Sequence, residues 1–276
     1  MKLAILILSL SALALSGGDF PDKEWQAAKP DNLGLDAGKL DEARKYAQTG
    51  GGAGMIVYQG KLVKSWGDLT RSFDLKSSSK SIGVTAMALA VRDGKLRWSD
   101  KAVDVHPDFG VPPESNRATG WLGRITLGHL ATQTAGFGKR GGYEPLLFEP
   151  GTKWHYSDGG PNWLAECVTL AYRRDVESLL FERVFDRIGV QRSDLRWRKH
   201  SYRPHQIDGL KRCEFGSGVH ANVDAMARIG LLYLREGNWN GEQLLPRKFV
   251  RRLNQPRSGM IGLPEHDTRN HGNASD

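Results

Sequence analysis

The chain has 276 residues, of which 39% are hydrophobic, 25% charged and 9% aromatic. This composition is typical of a globular protein and excludes collagen-like, coiled-coil and natively unfolded chains. The 39 Lys and Arg residues against 31 Asp and Glu residues give a formal net charge of +8. Because the basic residues are dispersed along the chain, we expect no nucleic-acid partner. The length allows one or two domains with a sizeable core.

Residues 1–16 have the order of features that is typical of an export signal. Lys2 precedes the apolar run Leu3–Leu15, and small residues follow, with Ala14 and Ser16 at the −3 and −1 positions of a cleavage site after Ser16. The apolar run is too short to anchor the chain across a bilayer. We therefore expect an exported protein, periplasmic or secreted, with no stable membrane insertion after signal removal.

The rest of the chain divides into a polar lead-in at 17–35, a folded region at 36–255 and a polar, aromatic-free tail at 256–276. Two β-rich runs, Met55–Tyr58 and Lys61–Trp66, flank a Gln-Gly dipeptide and predict a hairpin. Apolar residues at helical spacing predict helices at Asp36–Tyr46, Ser79–Arg92, Thr126–Thr132, after Pro161, at Val176–Phe185 and at Val223–Leu234.

The two cysteines, Cys167 and Cys213, lie in neither a CxxC nor a Cys/His spacing. In an exported protein they can form a disulfide or remain as two buried thiols, and the sequence leaves both alternatives open. The eight histidines form no HExxH or other close ligand spacing. We therefore expect neither a metal site nor a cofactor.

The segment Ser77–Lys80 is the one place in the chain where a serine is followed three residues later by a lysine. On a helix these two positions share a face, so the Lys80 ammonium would lie beside the Ser77 hydroxyl near the positive end of the helix. A serine hydroxyl needs such a neighbour to become a nucleophile. The alternative is that the three serines at 77–79 only cap the helix.

Tyr156 follows a turn at Glu149–Lys153 and would be presented on a loop. A tyrosine can act as a general base where nearby cations stabilise its anion, and Lys80 is the natural source of that charge. The alternative is a packed aromatic residue whose hydroxyl caps a loop.

Several blocks in order make this sequence resemble the serine β-lactamase and penicillin-binding-protein superfamily. The resemblance is to the branch that holds class C β-lactamases, D-aminopeptidase-like peptidases and related esterases. It covers about residues 40 to 255 and rests on five blocks, Ser77–Gly83, Asp93–Val103, Ile125–Phe137, Phe148–Asp158 and Gly216–Gly230.

The resemblance implies an α+β fold in which helices cover an antiparallel sheet and form a helical subdomain. It also implies that Ser77 attacks a carbonyl while Lys80 and Tyr156 move its proton, and that water releases the acyl-enzyme. The backbone N–H of Ser77 would supply half of the oxyanion hole. Which of Lys80 and Tyr156 is the resting base stays open, because the two groups share the proton.

The sequence departs from the family pattern at two points. Asp158 stands where the family has Asn in its Tyr-x-Asn motif, so an acceptor-only carboxylate replaces an amide donor near the substrate. This carboxylate would attract Lys80 or a cationic substrate group and disfavours β-lactam hydrolysis. A third motif of the family, Lys-Thr-Gly or His-x-Gly, is not found downstream. Arg257–Gly259 is a poor substitute for it, because this segment has no strand-like flanks. We interpret the chain as a C-terminally incomplete copy rather than a divergent form.

Together these features predict an exported serine hydrolase that acts on an ester or amide, of β-lactam, peptide or ester type, through Ser77, Lys80 and Tyr156, with Asp158 at the substrate. Its partner would be a small-molecule, peptide or cell-wall-derived substrate. One alternative is a degenerate or truncated member that binds peptidoglycan or peptide fragments without turnover. Another is a basic exported protein that binds anionic polymers. The oligomeric state stays open.

Overall fold

The computed structural model describes residues 20–253, 255 and 260–266. The expected signal at 1–16 and the segment Arg257–Gly259 therefore lie outside the described residues. The helices are α1 (Ala37–Gln48), α2 (Ser79–Arg92), α3 (Ala102–Val105), α4 (Ser115–Ala118), α5 (Leu127–Thr132), α6 (Gly159–Tyr172), α7 (Val176–Leu180), α8 (Val223–Leu234) and α9 (Arg247–Leu253). The strands are β1 (Gly54–Tyr58), β2 (Lys61–Trp66), β3 (Phe73–Asp74), β4 (Leu195–Trp197), β5 (Gln206–Ile207), β6 (Leu210–Lys211), β7 (Val219–Ala221), β8 (Asn238–Trp239) and β9 (Glu242–Gln243).

The predicted hairpin is present as the antiparallel pair β1 and β2. Tyr58 lies opposite Lys61, and the two residues between them, Gln59 and Gly60, have φ angles of 49° and 74°. Positive φ at both central positions gives a turn whose twist matches that of the flanking strands. Gly60 adopts this conformation without steric cost, which explains why the chain reverses here.

The α+β class is confirmed, with helices packed around short antiparallel strands. Within the described residues the strands form a three-stranded sheet in the order β3, β7, β4 and three two-stranded pairs, β1 with β2, β5 with β6 and β8 with β9. The sheet that contains β7 contributes the buried side chains of Leu195, Trp197, Val219 and Ala221 to the core. It also holds β3 and the turn that leads into α2.

The core surrounds α2, whose apolar residues face inward on nearly all sides. Ala86, Met87, Leu89 and Ala90 are fully buried, and the helix contacts α6 and α7. A helix that is apolar nearly all round is stable only in such a buried position. The predicted bounds of α2, Ser79–Arg92, agree with the structure.

Three predicted helices differ in detail from the structure. The helix predicted at Asp36–Tyr46 spans Ala37–Gln48, with Asp36 as its cap. The helix that contains Pro161 begins two residues earlier, at Gly159. The proline is tolerated in the first turn, because the N–H that it lacks would have no partner within the helix. The predicted helix Val176–Phe185 changes after Leu180 to a π-helical turn over Phe181–Phe185. Helix α8 has the predicted bounds, and the Asn222 side chain caps it by accepting the hydrogen bond from Ala225 N.

Cys167 and Cys213 are buried free thiols and form no disulfide with each other. Burial raises the pKa of the Cys213 thiol to about 12, which keeps it protonated. Among the described residues no cluster of His, Cys, Asp and Glu could hold a metal ion. In the same part of the chain no helix combines the length and apolarity that crossing a membrane requires.

Leu89 provides a test of how much the fold depends on α2. Leu89→Ala should lower the free energy of unfolding by about 2–5 kcal/mol, because it leaves a cavity in a fully buried site. Urea unfolding followed by circular dichroism measures this change. Tyr46→Ala on α1 is the control, since Tyr46 is 83% exposed and its loss should change stability by less than about 0.5 kcal/mol. Equal effects of the two substitutions would contradict the placement of α2 in the core.

Candidate active site

The chain enters α2 through a strained turn that presents Ser77. A single 3-10 turn over Lys76–Ser78 joins β3 to α2, and Lys76 has a φ of 48°, which is uncommon for a residue with a side chain. The Asp74 carboxylate accepts the Lys76 N–H at 3.0 Å, and Leu75 N donates to Val219 O of β7 at 3.0 Å. These bonds fix the backbone on the N-terminal side of Ser77.

The three consecutive serines have different environments. Ser79 is fully buried and its hydroxyl accepts the Val219 N–H at 3.0 Å, so it ties α2 to β7. Ser78 is exposed and makes no capping hydrogen bond to the helix. Ser77 is half-buried and its Oγ lies 3.3 Å from Lys80 Nζ. Of the three hydroxyls, that of Ser77 is the one in contact with a lysine.

Lys80 lies at the centre of the site and its Nζ has three hydrogen-bond partners. It donates to Gly216 O at 2.7 Å and to the Asp158 carboxylate, and its third contact is Ser77 Oγ. An ammonium has three N–H groups, and all three are used if Lys80 is charged. A neutral amine would keep its two N–H groups on Asp158 and Gly216 and would turn its lone pair to the Ser77 hydroxyl. The same positions of the atoms therefore suit Lys80 before and after it accepts a proton from Ser77.

Asp158 lies immediately before α6 and forms ion pairs through both of its oxygens. Oδ1 pairs with Lys80, and Oδ2 accepts a hydrogen bond from Lys139 Nζ at 2.7 Å. The side chain of Asp158 is 15% exposed. A carboxylate held between two ammonium groups has no oxygen left that faces a cationic substrate group alone.

Gly216 makes the close approach of Asp158 possible. A Cβ atom on Gly216 would lie 2.7 Å from the Cβ of Asp158, a separation that side chains do not tolerate. The backbone at this point is held by a hydrogen bond from Gly216 N to the Asn162 side chain at 2.9 Å. The absence of a side chain at 216 thus allows its carbonyl to reach Lys80.

The Tyr156 ring lies beside both lysines of the site. Lys80 Nζ is 4.8 Å and Lys139 Nζ is 4.9 Å from the centre of this ring, distances at which an ammonium is attracted to an aromatic face. Trp154 packs beside it with ring centres 6.3 Å apart. The structure therefore brings Ser77, Lys80, Tyr156 and Asp158 into one place.

Gln133 fixes the loop that carries Tyr156. It ends α5 with a φ of 61°, and its backbone carbonyl accepts His155 N at 3.1 Å while its side chain accepts Ser157 N at 2.9 Å. The Ser157 hydroxyl donates to Gly138 O at 2.7 Å. These bonds join the block Ile125–Phe137 and the loop after it to the block Phe148–Asp158. They fix Tyr156 between two anchored neighbours, His155 and Ser157.

Lys139 is a residue of the site that the sequence analysis missed. It follows the block Ile125–Phe137 by two residues and no spacing rule relates it to Tyr156 or Asp158. Its position depends on a tertiary contact, the hydrogen bond from Asp158 N to Lys139 O at 2.9 Å. The one available signal was a lysine in a glycine-rich loop next to a block that carries site residues.

A buried cluster of charged residues supports the start of α6, next to Asp158. Glu166 of α6 is 1% exposed and pairs with Arg203 at 2.6 Å, Arg212 at 3.0 Å and His106 at 2.9 Å. Burial raises the pKa of Glu166, but the hydrogen bond with His106 and the charges of Arg203 and Arg212 outweigh it and lower the pKa to about 2. Arg203 also donates to Gly159 O at 3.3 Å, so the cluster holds the first residue of α6 beside Asp158.

Comparison with known proteins adds the family. Residues 38–273 match the family model described as Beta-lactamase, which is most of the chain. The chain belongs to this family of serine hydrolases. No curated protein sequence matches it. The family assignment confirms the resemblance drawn from the five blocks, and the beta-lactamase/transpeptidase-like fold that it implied.

Solved structures share the fold at low sequence identity. D-alanine carboxypeptidase AmpC from Burkholderia cenocepacia is 20% identical, with a TM-score of 0.58 over 79% of this chain and 70% of that one. A beta-lactamase from Mycobacterium bovis is 21% identical, with a TM-score of 0.56 over 77% and 65%. An octameric penicillin-binding protein homologue from Pyrococcus abyssi is 12% identical, with a TM-score of 0.61 over 80% and 60%. The chain thus spans between 60% and 70% of the lengths of these three proteins.

The charged cluster predicts a pH-dependent stability. At about pH 7, Glu166→Gln should lower the free energy of unfolding by about 3–5 kcal/mol, because it leaves Arg203 and Arg212 buried without their carboxylate. The pKa of Glu166 is below its ordinary value of 4.5, so its contribution is complete above that value and is lost as the pH falls towards about 2.

Urea unfolding at about pH 7 and about pH 3 tests this expectation, and the gap between the wild type and Glu166→Gln should narrow at the lower pH. Glu114→Gln is the matched control, because Glu114 is 76% exposed and pairs with Arg117 at the surface. A variant at 166 that is as stable as the variant at 114 would show that the cluster does not support α6.

Proposed function

We propose that this chain is an exported serine hydrolase that cleaves an ester or an amide through an acyl-enzyme on Ser77. One observation carries the proposal, which is the contact of Ser77 Oγ with Lys80 Nζ at 3.3 Å within a site fixed by Asp158 and Gly216. The family of serine hydrolases to which the chain belongs supports the reaction class. Fold alone does not define the substrate.

In the first step Ser77 Oγ forms a bond to the carbonyl carbon of the substrate. The hydroxyl proton passes to Lys80 Nζ or to Tyr156 Oη and then to the leaving group, whose bond to the carbonyl carbon breaks. Water then attacks the acyl carbon and gives a proton to the same base, the bond from that carbon to Ser77 Oγ breaks, and the base returns the proton to Oγ. The backbone N–H of Ser77 lies in the first turn, where helical N–H groups lack partners within the helix, and we assign it to one side of the oxyanion hole.

The substrate in this proposal is a small molecule or a peptide, including one derived from the cell wall. The names of the solved neighbours, a D-alanine carboxypeptidase and beta-lactamases, support this class without defining its member. Asp158 argues against classical β-lactam hydrolysis, because a carboxylate paired with two lysines cannot donate the hydrogen bond that an asparagine amide would donate. The same observation favours the second candidate, a family member that binds such fragments without turnover.

Labelling with a fluorophosphonate probe separates the two candidates. The probe phosphonylates an activated serine and releases fluoride, so intact-mass spectrometry of the purified chain should show one adduct. Ser77→Ala should abolish the adduct, because it removes the nucleophilic oxygen. Ser78→Ala is the matched control and should keep the adduct, since Ser78 is exposed and lies outside the Lys80 contact.

Circular dichroism confirms in each case that the labelled sample is folded. No adduct on the folded wild type would reject the hydrolase proposal and favour binding without turnover. An adduct that persists in Ser77→Ala would place the activated serine elsewhere.

Export is tested by following the N-terminus. The sequence pattern at Lys2 and Leu3–Leu15 predicts that a bacterial host secretes the chain across the inner membrane and that the mature protein starts at Gly17. Mass spectrometry of the extracytoplasmic fraction measures this start. Leu8→Arg should retain the precursor in the cytoplasm, because a charge interrupts the apolar run. Recovery of the wild type only in the cytoplasm with its first sixteen residues attached would contradict the proposed export.

A further inference from the structure

The charges around Asp158 do not balance. Among the described residues, the cations around Asp158 and its neighbouring carboxylates are Lys80, Lys139, Arg140 and Arg198, and the carboxylates are Asp158, Glu144 and Glu214. Burial raises the pKa of Glu144, although Arg140, Arg203 and Lys139 lie nearby. The described residues of the site therefore carry an excess of positive charge.

Lys139 is the exposed cation of this group that contacts both Asp158 and the Tyr156 ring. Lys80 has three acceptors and its side chain is 15% exposed, so none of its N–H groups is left for a ligand. The Lys139 side chain is 45% exposed, and within the described part of the chain its Nζ has one acceptor, Asp158 Oδ2. An ammonium has three N–H groups, so two remain for an anion from solution.

Tyr156 and Asp158 hold the Lys139 ammonium close to the reacting groups. Its Nζ lies 4.9 Å from the centre of the ring that Lys80 approaches from 4.8 Å, and Lys80 in turn contacts Ser77 Oγ. A group bound to Lys139 is therefore within reach of a short acyl chain on Ser77. Asp158 is unsuited to bind a cationic substrate group, since both of its oxygens already pair with lysines.

We propose that Lys139 is a specificity-determining residue that binds a carboxylate carried by the acyl part of the substrate. The substrate class is then an ester or amide of a short acid with a second, anionic group a few bonds from the scissile carbonyl. This inference rests on the proposed function of Ser77. The carboxylate would accept a charge-assisted hydrogen bond from the free side of Lys139, opposite Asp158.

Two esters of equal acyl length test the proposal. In 4-nitrophenyl butyrate the acyl group is neutral, whereas in mono-4-nitrophenyl succinate it ends in a carboxylate, and the leaving group is the same. Release of 4-nitrophenol gives the second-order rate constant for acylation of each, and intact mass confirms the adduct on Ser77. The measured quantity is the ratio of the succinate rate to the butyrate rate.

Lys139→Gln should lower this ratio roughly fivefold or more, because it removes the charge but retains a polar side chain of similar length. Lys139→Glu should lower it further through like-charge repulsion, and Lys139→Arg should retain it. In the wild type the ratio should fall as salt is added, since a half-exposed charge is screened. Lys45→Gln on α1 removes the same charge from an exposed position away from Ser77 and should leave the ratio unchanged.

The ratio distinguishes a specificity role from a structural one. If Lys139 only supported Asp158, its loss would slow both esters alike and the ratio would stay constant. That outcome, with Ser77 still acylated, would overturn the inference and leave the proposed function intact. If the folded wild type is acylated by neither ester and is not labelled by the fluorophosphonate, the proposed function fails and the inference falls with it.

Discussion

The ion pair between Lys80 and Asp158 is the interaction on which the arrangement of the site depends. Lys80 lies in the first turn of α2 and Asp158 lies immediately before α6, so the pair joins the N-terminal ends of two helices that pack together in the core. Both helices direct the positive ends of their dipoles to this place, where one carboxylate lies beside two ammonium groups. The pair positions Lys80 against Ser77, and Gly216 makes room for it.

The buried charges behind the site explain how loops without regular structure keep a fixed geometry. Arg203 lies between the Glu166 carboxylate and the carbonyls of Gly142 and Gly159, and it packs on the Trp163 ring at 4.2 Å. Such an arrangement is costly to desolvate and contributes little net stability compared with an apolar core. The arrangement instead fixes orientation, because the N–H groups of a guanidinium point in fixed directions within a rigid plane. The first turn of α6 is thereby oriented, and Asp158 with it.

The parts of the fold that follow from local physics could be predicted from the sequence. The bounds of α2 and α8 follow from apolar periodicity and caps, and the hairpin follows from two β-rich runs and a glycine turn. The short strands β3, β4 and β7 could not be predicted, since two or three residues are too few to show alternation. In the site, spacing linked Ser77 to Lys80, whereas the charge of Lys80 and the family resemblance linked this pair to Tyr156. Lys139 reaches Asp158 through a loop contact that no local pattern encodes.

The exchange of an amide for a carboxylate at Asp158 changes more than one hydrogen bond. An asparagine at this position would donate a hydrogen bond to a substrate and would bring no negative charge to Lys80. The aspartate instead forms an ion pair with Lys80 and also binds a second lysine, Lys139. The sequence suggested that the new carboxylate would attract either Lys80 or a cationic substrate group. In the structure both of its oxygens form ion pairs with lysines, so the negative charge of Asp158 is neutralised within the protein. The site as a whole keeps an excess of positive charge. A residue that first suggested a cationic ligand therefore argues for an anionic one.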